Sequence, residues 1–201
     1  MRRWIQRQEN EINNMENRQN EMNNDINSIK ENDTDLPERF EFRDIRQEEA
    51  AQASEMEVIC FPPNEVIEER FINERIKVVP DMFLVAADRK TGKLAGSLSG
   101  IAVHEKEFRD DYFKNASLHE PDGKNVMLLG LNVLPEYRMQ GLARTLISEY
   151  GKRERAKGRS RMVLTCADDK VEMYKKMGFR EIGRSASELG GEEWNEMDIM
   201  L

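Results

Sequence analysis

Hydrophobic and polar residues alternate in several short stretches after Pro37, and such alternation is typical of β-strands. In RFEFRDI, Phe40 and Phe42 alternate with charged residues, which predicts a half-buried strand. The apolar run VMLLGLNVL over residues 126–134 is nearly continuous and indicates a strand that is buried on both faces. Five further strands are predicted over residues 82–88, 93–104, 161–166, 179–185 and 192–201. The chain therefore predicts seven strands.

Four segments between the strands carry the apolar spacing or the end signals of helices. These helices are predicted over residues 47–61, 65–79, 139–157 and 168–177. Pro62-Pro63 ends the first of them, and Asn64 is the predicted N-cap of the second. Residues 105–125 are predicted to form a long polar loop. Strands and helices in this mixed order predict an α+β or α/β class with a central mixed sheet.

Residues 1–36 differ from the rest of the chain, because they contain no Gly or Pro and are dominated by Asn and Glu. One heptad position holds Ile5, Ile12, Gln19 and Ile26, and the other holds Met1, Gln8, Met15, Met22 and Ile29. This spacing predicts a coiled-coil-like amphipathic helix whose apolar stripe packs on the domain or on a second copy of the chain, forming a homodimer. A frayed, solvated tail is the alternative. The predicted organisation is a helical extension over residues 1–36 and a domain over residues 38–201.

Composition narrows the classes of partner and compartment. The 201 residues carry a formal net charge of −8, which argues against nucleic acid as the main partner. Cys60 and Cys166 are far apart and suit neither a disulfide framework nor a metal site. No apolar run approaches the roughly 20 residues that a membrane span needs. These features predict a soluble cytoplasmic protein with no membrane, metal or nucleic-acid function.

The segment PEYRMQGLARTL over residues 135–146 has the features of an anion site. It follows a buried strand that ends near Val133 and opens a predicted helix, whose first N–H groups have no partner within the helix. Gly141 and Ala143 are small enough to let a phosphate group reach those N–H groups. Eight Lys and Arg residues lie between Arg138 and Arg161, against two Glu. A solvated helix with cations near its C-terminal end is the alternative explanation of the later basic residues.

Two longer segments carry a family resemblance. LNVLPEYRMQGLARTLISEY is similar to the pyrophosphate-binding motif of the GNAT superfamily of acetyl-CoA-dependent N-acetyltransferases, and MVLTCADDKVEMYKKMGFREIG is similar to the motif that follows it. The resemblance covers residues 38–201 and implies a mostly antiparallel seven-stranded sheet with four helices. Within the superfamily the chain most resembles the arylalkylamine (serotonin) N-acetyltransferase branch, through CFPPNEVIEERF, the Cys166-to-Tyr174 spacing and GRSASELGGEEWNEMDI.

The resemblance implies a role for each matched residue. Backbone groups of one short stretch would pair with the pantetheine arm of acetyl-CoA; these residues are Leu131, Asn132 and Val133. The residues implied to hold the pyrophosphate are Arg138, Met139, Gln140, Gly141, Leu142, Ala143 and Arg144. Tyr174 would lie near the sulfur of CoA. A tyrosine is protonated at neutral pH, so it can donate a proton to the leaving thiolate.

The residue that takes a proton from the amine is not evident in the sequence. An alkylamine has a pKa near ~10, so it must lose a proton before it attacks. The two histidine positions of the arylalkylamine branch hold Met127 and Leu129 here, and no glutamate occupies that strand. The alternatives are His104, His119, a loop carboxylate such as Glu65, or water.

The acceptor pocket is expected between residues 61–66 and the 105–125 loop. Phe61, Glu65 and His104 are its candidate substrate-binding residues. These observations predict an acetyl-CoA-dependent N-acetyltransferase that acts on a primary amine of a small molecule. Two alternatives remain at this point: a protein lysine or N-terminal acetyltransferase, and a non-catalytic CoA-binding sensor or scaffold assembled through residues 1–36.

Overall fold

The computed structural model describes residues 36–201. The heptad-patterned segment over residues 1–35 lies outside the described residues, so the helix and the homodimer predicted there stay predictions. No helix within the described part of the chain has the length and apolar character that a membrane crossing requires.

One seven-stranded sheet in the order β1-β2-β3-β4-β5-β7-β6 organises the domain. Its strands are β1 (Phe40–Asp44), β2 (Phe83–Asp88), β3 (Leu94–Val103), β4 (Asn125–Val133), β5 (Arg161–Cys166), β6 (Arg180–Arg184) and β7 (Asn195–Met200). The pair β4–β5 is parallel, and the other five neighbouring pairs are antiparallel. The predicted seven-stranded, mostly antiparallel mixed sheet is confirmed.

Helices occupy the four places where the sequence predicts them. They are α1 (Ala50–Cys60), α2 (Glu69–Val78), α4 (Leu142–Ala156) and α5 (Val171–Lys176), with a single turn α3 (Asp111–Lys114) in addition. The prediction that Asn64 caps α2 is wrong, because the N-cap is Glu68. The Asn64 amide instead donates to the carbonyl oxygen of Gly190 at 3.0 Å and to a Glu192 carboxylate oxygen at 3.2 Å.

The segment over residues 105–125 is more than the polar loop predicted from sequence. It contains α3 and a cluster of three buried aromatic rings, Phe108, Tyr112 and Phe113. The Phe108 ring centroid lies 6.0 Å from that of Tyr112 and 5.3 Å from that of Phe113. Although most residues of this segment are polar, the cluster of three buried rings packs the segment against the sheet.

The sheet separates α1 and α2 from α4. Successive residues of a strand point to opposite faces. On β3, the Ser97 hydroxyl lies 3.9 Å from the sulfur of Met56 in α1. A Cβ at the preceding Gly96 would lie 3.1 Å from Leu146 in α4. Gly96 thus lets α4 pack closely on one face, while α1 covers the other.

The strands β4 and β5 separate partway along their length. Their pairing runs from Asn125 to Met127 on β4 and stops at Val163 on β5. Just beyond, the pairing of β4 with β3 shifts register, since Ser99 faces Gly130 while Gly100 faces Leu128. Leu129 is therefore the extra residue of a β-bulge. A bulge bends the strand that carries it, so β4 turns away from β5 and a cleft opens between them.

Candidate active site

A cleft lies between β4 and β5 and opens to solvent at its mouth. Apolar side chains form most of its wall: Phe61, Ile67, Leu98, Phe113, Leu128, Leu129, Leu131, Ile147, Leu164, Leu189 and Trp194. Its polar lining residues are Glu57, Glu65, Thr165 and Tyr174. A mostly apolar cleft with a few converging polar groups is typical of a small-molecule site.

The loop before α4 presents a row of free backbone donors. Gly141 is the N-cap of α4 and has the left-handed φ of 85° that glycine tolerates best. Met139 also has a positive φ, of 58°, and its side chain is fully exposed. Within residues 36–201, the N–H groups of residues 139–144 have no protein acceptor. Such a row at a helix N-terminus fits a pyrophosphate, because the helix dipole and the free donors both favour an anion.

Side-chain hydrogen bonds hold this loop in place. The Arg138 guanidinium donates to the carbonyl oxygen of Val133 at 3.0 Å. Arg39 donates to the Gln140 side-chain oxygen at 2.7 Å, and the Gln140 amide donates to the Glu136 carbonyl oxygen at 2.9 Å. The loop shape is thus fixed by contacts that leave its backbone N–H groups available.

The three β4 residues expected to meet the pantetheine arm have different surroundings. Leu131 lines the cleft. The Asn132 side chain is buried and turned toward α1, where its amide donates to Glu57 at 3.2 Å. The Val133 carbonyl oxygen already accepts from Arg138 and from the Cys60 thiol. Beyond Met127, the edge of β4 that faces β5 has no partner strand in the described structure, so it can accept an extended ligand as an added strand.

Tyr174 reaches the cleft from α5, on the β5 side. Its ring packs edge-on against Phe179, with centroids 5.6 Å apart. Its hydroxyl has no hydrogen-bond partner among the described residues, although the side chain lines the cleft. Burial, and to a smaller extent the charge of a Cys166 thiolate, raises the pKa of Tyr174 above its usual value. The phenol therefore stays protonated at neutral pH and is suited to donate a proton.

Of the three predicted acceptor-binding residues, Phe61 and Glu65 line the cleft with Tyr174. Burial raises the pKa of the Glu65 carboxyl, and the nearby Glu192 and Asp169 carboxylates add to the effect. His104 does not line the cleft. Its carbonyl oxygen accepts from Asn125 at the far end of β4, so the sheet itself keeps it away from Tyr174.

The alternative histidine is also placed outside the cleft. The Nδ1 atom of His119 accepts from the backbone N–H of Ala102 at 3.1 Å. Burial lowers the pKa of His119, with Arg159 as the next cause. A structural contact favours the neutral form of this histidine, which is not among the residues that line the cleft.

Glu57 is a functional candidate that the sequence analysis missed. It lies on α1, is only 5% exposed and lines the cleft. One carboxylate oxygen accepts from the Ile67 backbone N–H at 3.3 Å and the other from the Asn132 amide at 3.2 Å. A signal exists in the sequence, since Ala53, Met56 and Glu57 follow the spacing of one buried helix face. A Glu is almost never fully buried unless it is paired, so a Glu on such a face indicates a specific role.

Comparisons with known proteins agree with this geometry. Residues 42–179 match the model of the acetyltransferase (GNAT) family. No curated protein sequence matches the chain.

Several solved structures share the fold. The loading GNATL domain of CurA from Lyngbya majuscula is 15% identical with a TM-score of 0.69, over 80% of this chain and 97% of that one. The GphF GNAT-like decarboxylase in complex with isobutyryl-CoA is 17% identical with a TM-score of 0.66, over 80% and 98%. A phosphinothricin acetyltransferase from Sinorhizobium meliloti in complex with acetyl-CoA is 17% identical with a TM-score of 0.60, over 81% and 89%. With its fold, the free N–H groups before α4 and its family match, the chain belongs to the GNAT acetyltransferase family and is an acyltransferase.

Proposed function

We propose that this protein transfers the acetyl group of acetyl-CoA to a primary amine of a small molecule. The observation that carries the proposal is one continuous cleft between β4 and β5. This cleft contains the open edge of β4, which leads to the free N–H groups of residues 139–144. It also contains the protonated Tyr174 and the covered side on which the amine would bind.

The donor loop and the edge of β4 would hold the acetyl-CoA. The N–H groups of residues 139–144 would bind the pyrophosphate, with Arg138 and Arg144 supplying positive charge beside it. The backbone from Leu131 to Val133 would pair with the pantetheine arm. Bound acetyl-CoA supplies an acyl thioester. The residues of the loop orient that group toward Tyr174.

Tyr174 would act as the proton donor to the thiol that leaves. The raised pKa keeps its proton in place until negative charge develops on the sulfur. Its hydroxyl has no protein partner in the described structure, so this donor is uncommitted. Phe179 fixes the ring through an edge-on contact.

The acceptor side is covered, which favours a small amine over a protein chain. Asn64 ties the α1–α2 connection to residues 190 and 192 through two hydrogen bonds. Phe113, from the anchored segment after β3, forms the opposite wall. A peptide acceptor needs an open groove, and this bridge across the entrance restricts one. The finer resemblance to arylalkylamine acetyltransferases supports an amine with an apolar body, which suits the apolar wall.

The test is release of CoA thiol from acetyl-CoA, measured with a panel of small amines and with lysine and N-terminal peptides. Turnover with a small amine, together with a large loss in Tyr174→Phe, is the expected result. Turnover confined to peptides would assign a protein substrate. Binding of acetyl-CoA without turnover would instead favour a sensor or scaffold. Loss of a dimer on deleting residues 1–36 would then locate its assembly surface.

A further inference from the structure

We infer that the acceptor nitrogen binds in a polar recess beside Gly130, and that Glu57 takes its proton. This inference rests on the proposed function and adds the base and the charge class of the acceptor. The nitrogen would arrive as a primary ammonium group on a short or apolar body.

The recess exists because residue 130 has no side chain. A Cβ built on Gly130 would lie 3.7 Å from the Asn132 amide nitrogen. It would lie 3.8 Å from a Glu57 carboxylate oxygen and 3.8 Å from the Ser99 hydroxyl. Three polar groups thus surround a vacant side-chain position, on the floor of a cleft whose walls are mostly apolar.

Two of the three polar groups at the recess, the Glu57 carboxylate and the Ser99 hydroxyl, can accept a hydrogen bond from an ammonium group. Asn132 and Glu57 are 4% and 5% exposed. The Asn132 side-chain oxygen is buried and has no hydrogen-bond partner within residues 36–201. An unpaired buried oxygen costs free energy, and the Asn132 amide nitrogen of the same group is the atom that faces Gly130. Each oxygen of the Glu57 carboxylate accepts one bond from the protein, and a carboxylate has lone pairs for more.

The charges around Glu57 leave it able to accept a proton. Burial raises the pKa of Glu57, while Arg75 on α2 acts in the opposite direction. Arg75 is itself buried and donates to the Ser99 hydroxyl at 3.2 Å and to the Phe113 carbonyl at 3.0 Å. The other groups that face Glu57 are the neutral Asn132 amide, the Ile67 N–H and the Cys60 thiol. The general base is therefore an isolated carboxylate beside one fixed cation.

The recess faces the same side of the sheet as α1, opposite to α4. The Ser99 hydroxyl accepts from α2, and Glu57 belongs to α1, so the acceptor would enter from the α1–α2 face. The donor loop lies at the N-terminus of α4, on the other face. The gap between β4 and β5 is where the two ligands would meet, with Tyr174 on the β5 side.

The chemical step balances with these two residues. The ammonium gives one proton to the Glu57 carboxylate. The neutral nitrogen forms a C–N bond with the acyl carbon, and the C–S bond breaks. Tyr174 donates a proton to the sulfur, and the nitrogen loses its second proton to water. Return of one proton to Tyr174 and loss of one from Glu57 restore the protein, so one proton is released for each amide formed.

Two substitutions test the recess, and a third is their control. Glu57→Gln keeps the shape of the side chain and removes its basicity. Gly130→Ala fills the recess, and its Cβ would have no contact closer than 3.7 Å, so the fold is kept. Glu55→Gln alters an exposed carboxylate on the same helix and should leave turnover unchanged. The measurements are kcat and KM for thiol release, and the melting-temperature shift with acetyl-CoA.

A general base accelerates a reaction by roughly 10²–10⁴-fold, so Glu57→Gln should lower kcat/KM about that much for an alkylamine. The reduction of kcat/KM in Glu57→Gln should be much smaller with a weakly basic amine that is already neutral at the assay pH, because no proton then needs removal. Gly130→Ala should raise KM for the amine. Both variants should keep the wild-type shift with acetyl-CoA.

The outcomes separate this inference from the function beneath it. A wild-type protein that binds acetyl-CoA and acetylates amines, with Glu57→Gln equally active, would overturn the recess but keep the function. A loss in Glu57→Gln that is the same for strongly and weakly basic amines would assign Glu57 a purely structural role. A wild type without amine turnover would overturn the proposed function and the recess together.

Discussion

Replacing Gly141 tests whether the donor loop before α4 holds the pyrophosphate. Gly141 has a φ of 85°, so any other residue there adopts a left-handed conformation. That conformation costs about 1–2 kcal/mol for an ordinary residue. In a domain of this size, each kcal/mol lowers the melting temperature by roughly 2–4 °C. Gly141→Ala should therefore melt several degrees lower without ligand, while its backbone N–H groups remain free.

The melting-temperature shift with acetyl-CoA distinguishes backbone strain at residue 141 from loss of the proposed anion site. At a concentration of about 100 Kd, a ligand that binds only the folded state adds about 2.7 kcal/mol, or roughly 5–10 °C. Gly141→Ala should keep most of this shift. Gly141→Glu would add a carboxylate at the proposed phosphate site, and two unit charges about 4 Å apart repel by about 4 kcal/mol at an effective dielectric constant near 20. That is roughly a thousandfold loss of affinity, so the shift should vanish.

Gly158→Glu is the matched control for this experiment. Gly158 also has a left-handed φ, of 81°, and a Cβ there would meet only the Lys124 amine at 3.9 Å. It lies just past the other end of α4, so the substitution adds the same strain and charge away from the donor loop. The assay is thermal unfolding with and without acetyl-CoA. An equal shift in Gly141→Glu and wild type would show that the anion binds elsewhere.

Three further substitutions probe chemistry, charge and packing. Tyr174→Phe should reduce kcat by roughly 10²–10⁴-fold in the thiol-release assay and keep acetyl-CoA binding, because its hydroxyl is a donor without a structural partner. Burial alone would raise the pKa of Asp198, but hydrogen bonds from Arg180 and Arg161 lower it below the usual value. Its stabilisation is full above the unfolded pKa of about 3.9 and is lost as the pH falls through the lower folded pKa. Asp198→Asn should therefore cost about 1–3 kcal/mol in urea unfolding at pH 7, and the difference should shrink toward pH 3. Ile76→Ala removes a fully buried side chain of α2 and should cost about 2–5 kcal/mol by the same measurement.

The fold follows from the sequence to the extent that burial follows local periodicity. The continuous apolar run of β4 and the alternation in β1 identify both strands, because each reflects how many faces are covered. Helix ends are less evident. Asn64 has the chemistry of an N-cap, yet the prolines before it and its bonds to residues 190 and 192 hold it in a different role.

The candidate site also combines features that local sequence predicts with features that depend on long-range pairing. The position of residues 139–144 before α4 and that of Tyr174 on the helix after β5 can be predicted because their motifs are local. The bulge at Leu129 and the opening between β4 and β5 depend on pairing with other strands, which no single segment encodes. Glu57 is concealed for a related reason. The proposed role of Glu57 depends on its proximity to Gly130 and Asn132, residues more than seventy positions away.

The opening between β4 and β5 connects the two faces of the sheet. In the proposed arrangement, acetyl-CoA and the amine would enter from opposite faces and would not block one another. The acetylated product would then have a route out that does not pass the loop before α4. The two faces are also free to diverge independently. Under the proposed function, changes in α1, α2 and the segment after β3 would alter which amine is accepted, while the loop before α4 keeps its shape.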